Sequence, residues 1–214
     1  MRRGARIAAP LFPAVAALGA SFGVLARTAH FDALAAVVMS ATTFAGSSQV
    51  AAASVLGAGG GVAAAVVAAL LLNVRYTPIG ITVAQSFHGL RVWRRLGQAQ
   101  LVVDESWALA GGGTPRFDRR MMLGVGTGLW FAWVGGTAVG ALLGGVVGDP
   151  STFGLDGAFA ALFLALLVAQ LTSRRAIAAA VLGAAIAAAL TPLTPPGVPI
   201  IAATAAILVG WKRA

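Results

Sequence analysis

The sequence predicts an all-α fold, a polytopic transmembrane bundle of six to eight hydrophobic helices with broken or re-entrant segments and a faint internal repeat. Three observations predict it. Of 214 residues, 59% are hydrophobic and only 10% charged, with a mean hydropathy of +0.90, whereas a soluble domain is roughly half apolar and about a quarter charged. The apolar residues come in long charge-free runs, more than a core of this size could bury. Thirteen of the fifteen Lys and Arg fall in four clusters outside those runs, as charges that orient a membrane protein do. The net charge of +9 is therefore topological and does not mark a nucleic-acid face, which needs basic residues with aromatic or polar partners on a soluble surface.

The first span is expected from about Ile7 to Ala26, long enough at 1.5 Å per residue to cross a hydrocarbon core. Arg2, Arg3 and Arg6 before a stretch ending Val24-Leu25-Ala26 imitate a cleavable signal peptide, but more spans follow, so the stretch is read as a membrane helix. Between Thr28 and Leu90 the only formal charges are Asp32 and Arg75, which leaves room for two or three further helices: Ala33 to Leu56, Gly60 to Val74 and Thr77 to Leu90. Their breaks are expected at Gly46 to Ser48, at the glycines from Gly57 to Gly61, and at Tyr76-Thr77-Pro78, where proline disfavours helix in the preceding residue. The last two are short for a crossing, so one is a candidate half-helix or re-entrant segment.

Residues 91–120, with Arg91, Arg94, Arg95, Arg116, Arg119 and Arg120 against Asp104, Glu105 and Asp118, form the central loop between a first half (1–90) and a second (121–214) of one membrane domain. Apolar segments follow at Met121 to Val147, Gly157 to Ser173, Ala176 to Leu190 and Val198 to Trp211. Counting from Lys212 and Arg213 back through Arg174 and Arg175, the basic clusters share one side, expected to be the cytoplasm and to hold the C-terminus. Keeping Arg2, Arg3 and Arg6 there too requires an even number of crossings in the first half, either two plus broken segments or four. Gly19 and Gly23 are echoed by Gly136 and Gly140, which reads either as duplication or as close packing between small-residue helices.

Signatures of catalysis are missing from this sequence. There is no Cys, which excludes disulfides and thiol chemistry, and His30 and His88 lack acidic neighbours at ligand spacing, so neither a metal nor another cofactor is expected. The Gly-Ala-Gly-Gly-Gly around Gly59 lacks the strand and Lys-Ser/Thr of a phosphate loop and reads as a tight turn. The informative polar residues lie where lipid makes them costly. Arg75, preceded by Asn73, sits in an apolar run, where Arg at a helix centre costs about 2.5 to 3.5 kcal/mol. It is either an end-of-span cation snorkelling to headgroups or a cation aimed at a carboxylate. Ser40, Thr42, Thr43, Gly46, Ser47, Ser48 and Gln49 form a second cluster, in which an opened helix would offer backbone groups to a zwitterion; hydroxyls gluing helices together are the alternative. Asp104-Glu105 is either a proton-accepting pair or a solvated loop feature.

Four motifs then stand in order: Ser21-Phe22-Gly23-Val24-Leu25-Ala26; Met39-Ser40 leading into Phe44-Ala45-Gly46-Ser47-Ser48-Gln49; Asn73-Val74-Arg75; and Asp104-Glu105-Ser106-Trp107. As a set they resemble the AzlC-type large subunit of branched-chain amino acid exporters, and Gly154-Leu155-Asp156 before Ala161-Leu162-Phe163 resembles that family's Gly-Leu-Asp segment. Tyr76 stands where many relatives have His and Ser48 where Ala is common, so no histidine-based proton role is available at position 76. The resemblance implies export of branched-chain or similar amino acids with a separately encoded, small hydrophobic AzlD-type partner in the bacterial inner membrane. The expected substrate residues are Gly46, Ser47, Ser48, Gln49, Asn73 and Arg75, and those expected to couple a proton are Asp104, Glu105 and Asp156. The competing expectation is a non-transporting structural or assembly subunit whose polar groups only pack against a partner.

Overall fold

The computed structural model describes residues 2–74, 76–111, 117–144, 164, 167, 168, 171, 173–194 and 198–206, and among them there are helices and turns but no strand. Helix α1 (Arg2–Ala8) passes through a 3-10 turn (Ala9–Leu11) into α2 (Phe12–Thr28). The turn falls where Pro10 and Pro13 each remove a backbone donor, which an α-helix tolerates only in its first turn. The helix closes with His30 in the left-handed region (φ 64) and a bond from Phe31 N to the Ala26 carbonyl of 2.9 Å, a Schellman-type stop. Arg6–Thr28 is thus one apolar span of 23 residues, as its sequence led us to expect.

The expected segment Ala33 to Leu56 is two helices, α3 (Ala33–Thr43) and α4 (Gly46–Gly57). At 11 and 12 residues each rises about 16–18 Å, too short for a hydrocarbon core of about 30 Å. Asp32 caps α3, accepting from Ala35 N at 2.7 Å, and Gly59 at φ 82 ends α4 in the expected tight turn. Next come α5 (Val62–Asn73) and α6 (Tyr76–Ala84), the latter running into a 3-10 turn (Gln85–Phe87). The two meet at 50° and form one bent span or a re-entrant pair.

The central polar stretch is more ordered than a plain loop. It holds α7 (Val92–Ala99) and α8 (Asp104–Leu109), and Asp118 caps the long α9 (Arg119–Leu143), accepting from Met121 N at 3.1 Å. Beyond it lie α10 (Arg174–Leu190) and α11 (Val198–Ala203), the latter followed by a 3-10 turn (Thr204–Ala206). The expected segment Gly157 to Ser173 lies largely outside the described residues. Among the described residues two helices, Arg6–Thr28 and Arg119–Leu143, are long and apolar enough to cross a membrane, and the bent pair makes up to three.

Helices α2 and α9 share the most extensive contact in the bundle, and small residues make it. A Cβ added at Gly19 or Gly23 would strike the carbonyls of Trp133 or Thr137, and one at Gly136 or Gly140 those of Ala16 or Ala20, all closer than 3 Å. The echoed glycines therefore interlock, two from each helix, and let the backbones touch. Lipid tails are as apolar as leucine, so such close packing rather than hydrophobic transfer holds membrane helices together. Phe22 stacks on Trp133 with ring centroids 6.1 Å apart, and both are buried. The faces turned away from this core are apolar and exposed, including Leu34, Val62, Leu70, Ile81 and Leu142, as surfaces solvated by lipid require.

Candidate functional site

The α3–α4 break falls at Phe44–Ala45, two residues before the expected opening. Phe44 adopts the left-handed conformation (φ 43, ψ 47) and Ala45 lies at φ −137, ψ 80. That conformation costs a non-glycine residue roughly 1–2 kcal/mol, which persists only where surroundings over-determine it. Here they do: the Phe44 ring is buried, its N–H donates to the Ser40 carbonyl at 3.2 Å, and Ala45 N donates to Gln49 Oε1 at 3.2 Å. Carbonyls bared at the end of α3 also find donors. Gln100 Nε2 reaches Thr42 O at 2.6 Å and Trp130 Nε1 reaches Ala41 O at 3.0 Å. Gly46 is small for a different reason than helix opening: a Cβ there would lie 2.7 Å from the Trp133 ring.

Behind the break runs a buried polar chain. Trp133 Nε1 donates to Gln49 Oε1 at 3.1 Å, Gln49 Nε2 donates to Ser40 Oγ at 3.0 Å, and Ser40 Oγ pairs with Thr137 Oγ1 at 2.8 Å. Thr137 in turn donates to the Trp133 carbonyl at 2.9 Å. Ser40, Gln49 and Thr137 are fully buried, and no buried side-chain N or O among the described residues lacks a partner. A network this completely satisfied fixes helices against one another and leaves few lone pairs for a solute. Ser48, also fully buried, donates to Asn73 Oδ1 at 2.5 Å and ties α4 to α5.

In front of the break lie two cavities that share Phe44 and Tyr76 as a common wall. The smaller, about 130 Å³, brings Gly46 and Ser47 from the first turn of α4 to Asp104 and Glu105 of α8, between apolar Val15, Leu18, Val103, Leu129 and Trp133. The larger, about 420 Å³, is lined by Thr43, Asn73, Arg95 and Gln100 among others.

The structure thus splits the run Gly46–Gln49. Gly46 and Ser47 line a cavity; Ser48 and Gln49 point into protein and are bonded there. Asp104 and Glu105, far away in sequence, line the same cavity as Gly46 and Ser47, with Asp104 half-buried and Glu105 exposed. Asn73 reaches the larger cavity, while Arg75 and Asp156 lie outside the described residues. Phe44, Trp133, Thr137 and Arg95 were not among the expected site residues, although Phe44 stands in one of the four motifs and Arg95 in the central charged stretch. His30 and His88 are exposed, and among the described residues no group of His, Asp and Glu could hold a metal ion.

The family model described as AzlC protein matches residues 10–147, a stretch that runs from the start of the first span through α9 and contains the break, both cavities and the polar chain. The chain belongs to the AzlC family. Membership implies a function related to branched-chain amino acid transport and a place in a membrane, in a family of transporters and not of enzymes. No curated protein and no solved structure matches this AzlC-family chain.

Proposed function

We propose that this chain is a secondary transporter that exports branched-chain or similar apolar amino acids across the bacterial inner membrane, with the smaller cavity as its substrate site. One observation carries the reading: Gly46 and Ser47 of the first turn of α4 and the acidic pair Asp104 and Glu105 line one pocket with apolar walls. The first N–H groups of a helix have no intrahelical acceptor and carry partial positive charge, which suits a carboxylate. The acidic pair suits the ammonium group, and Val15, Leu18, Leu129 and Trp133 offer an apolar wall to an aliphatic side chain. Poles of opposite sign with apolar surface between them are the complement of an apolar zwitterion.

Asn73 then serves by bracing α5 against Ser48, and Arg75 retains its role as a cation for the carboxylate. A guanidinium grips a carboxylate with two parallel donors where an ammonium cannot, so wild-type efflux in an Arg75→Lys variant would remove Arg75 from the site. Asp104 and Glu105, with Asp156, are the candidates for proton coupling. The basic clusters place the central stretch and the C-terminus in the cytoplasm. A small AzlD-type subunit completes the transporter.

A second reading, a non-transporting assembly subunit, draws on Ser48 and Gln49, whose bonds are those of helix glue. Efflux of preloaded valine, leucine and methionine, from cells expressing the chain with and without the small membrane protein, separates the two. Efflux that requires the chain and is lost in Asp104→Asn/Glu105→Gln at normal abundance supports the transporter. Efflux that the double variant leaves intact overturns the proposed pocket.

A further inference from the structure

Among the described residues of the central stretch, helix α7 is the part whose side chains are almost all exposed, yet its sequence is far from uniformly polar. Trp93 is 84% exposed, Val92 66% and Leu96 56%, the kind of apolar surface that soluble proteins seldom gather on one short helix. At about 100° per residue, Val92, Trp93, Leu96 and Ala99 fall within roughly 120° of the helix circumference, and Arg91, Arg94, Arg95 and Gln98 fall within roughly 100° on another side.

The polar side is where the protein holds the helix. Gln98 Oε1 accepts from Arg119 Nε at 3.1 Å, Arg119 Nη1 also donates to the Ser86 carbonyl at 3.1 Å, and Arg95 lines the larger cavity. Arg119 is the first residue of the span Arg119–Leu143, so α7 is fixed at the level where that span enters the membrane. Its apolar side, turned away from those bonds, meets whatever surrounds the entry point. At that depth the surroundings are the boundary of headgroups and acyl chains, where tryptophan and amphipathic helices concentrate.

We propose that α7 is an interfacial anchor for anionic phospholipid, seating Val92, Trp93 and Leu96 at the headgroup–acyl boundary while Arg91 and Arg94, both exposed, bind lipid phosphates. The charge complementarity favours lipid: Arg91 and Arg94 stand exposed on the polar side of the same short helix, from which their long side chains reach headgroup phosphates as the basic face of an interfacial helix does, and, on the cytoplasmic orientation proposed above, anionic headgroups attract such segments. The same helix carries Arg95 on the cavity wall, and Gln100 just beyond it holds the carbonyl of Thr42 at the break. Lipid gripping α7 therefore bears on the mouth of the larger cavity.

The chain has no cysteine, so a single environment-sensitive fluorophore can be placed at Leu96→Cys, at Trp93→Cys or at Arg94→Cys in the full chain with its small partner, reconstituted in bilayers. Labels at 93 and 96 should be quenched by nitroxide-bearing lipid and shielded from iodide, and the label at 94 should show the reverse. At equal mole fraction, nitroxide phosphatidylglycerol should quench the label at 96 more strongly than nitroxide phosphatidylcholine. Neutralising Arg91 or Arg94 to Gln should reduce that preference by about fivefold each. Iodide reaching positions 93 and 96 as readily as 94 would place the apolar face in water and overturn the proposal. Equal quenching by the two lipids would remove the anionic preference, and shielding that appears only with the partner present would assign the face to protein.

Discussion

Gln49 is where sequence and structure assign different jobs, and its replacement by leucine tells them apart. Its side chain is fully buried and makes three bonds: it accepts from Trp133 Nε1 at 3.1 Å and from Ala45 N at 3.2 Å, and donates to Ser40 Oγ at 3.0 Å. Leucine matches its bulk but accepts nothing. Ser40 keeps Thr137 as a partner, so the cost falls on two orphaned donors. On the membrane scale a side-chain hydrogen bond averages about 0.6 kcal/mol, whereas an unsatisfied buried group in a protein interior costs about 1–3 kcal/mol. Two such donors bracket the loss at about 1–6 kcal/mol. Thermal unfolding of purified chain in detergent should show a clear drop for Gln49→Leu. Trp133→Phe removes one of the orphaned donors while keeping a ring, so Gln49→Leu/Trp133→Phe should be less destabilised than the two single changes summed, by about 0.5–3 kcal/mol. A Gln49→Leu chain of unchanged stability whose efflux per molecule is abolished would refute the bracing role and return Gln49 to the substrate site.

Ser47→Cys should react with a small water-soluble thiol reagent and be slowed by saturating leucine, while Ser48→Cys, at a fully buried position bonded to Asn73, should not react. Labelling of both at equal rates would contradict the split between cavity and glue. Gly140→Val places a Cβ closer than 3 Å to the Ala20 backbone and should lower the abundance of folded protein severely, whereas Gly135→Val, with open space around it, should be tolerated in a quantitative immunoblot of membranes. Similar abundance of the two would mean that α2 and α9 do not rely on glycine contact.

Much of this protein was legible in one dimension because the bilayer is a demanding solvent. Apolar runs, charge clusters and glycine clusters act through lipid, water or the local backbone, so the first span, the start of α9 and the tight turn at Gly59 could be read directly. So could the family, from short motifs in fixed order. The break was legible in place but not in cause. A glycine in the run suggested that Gly46 opens the helix, yet the backbone turns at Phe44, and Gly46 is small because the Trp133 ring lies against it.

What the sequence by itself determined is the solvent of this chain, its helical class and the stretch in which its helices break, since these follow from hydropathy, local backbone chemistry and charge counting. Only the tertiary structure decided which residues meet. Gln49 touches Trp133 across 84 positions and Ser40 touches Thr137 across 97, while Asp104 and Glu105 reach the pocket of Gly46 and Ser47 only because α8 packs on α9 and α4 packs on α2. Ser47 and Ser48 are identical side chains one position apart, and a helix turns successive residues by about 100°. That rotation, set by what each face of α4 packs against, makes one a cavity wall and the other a structural tie.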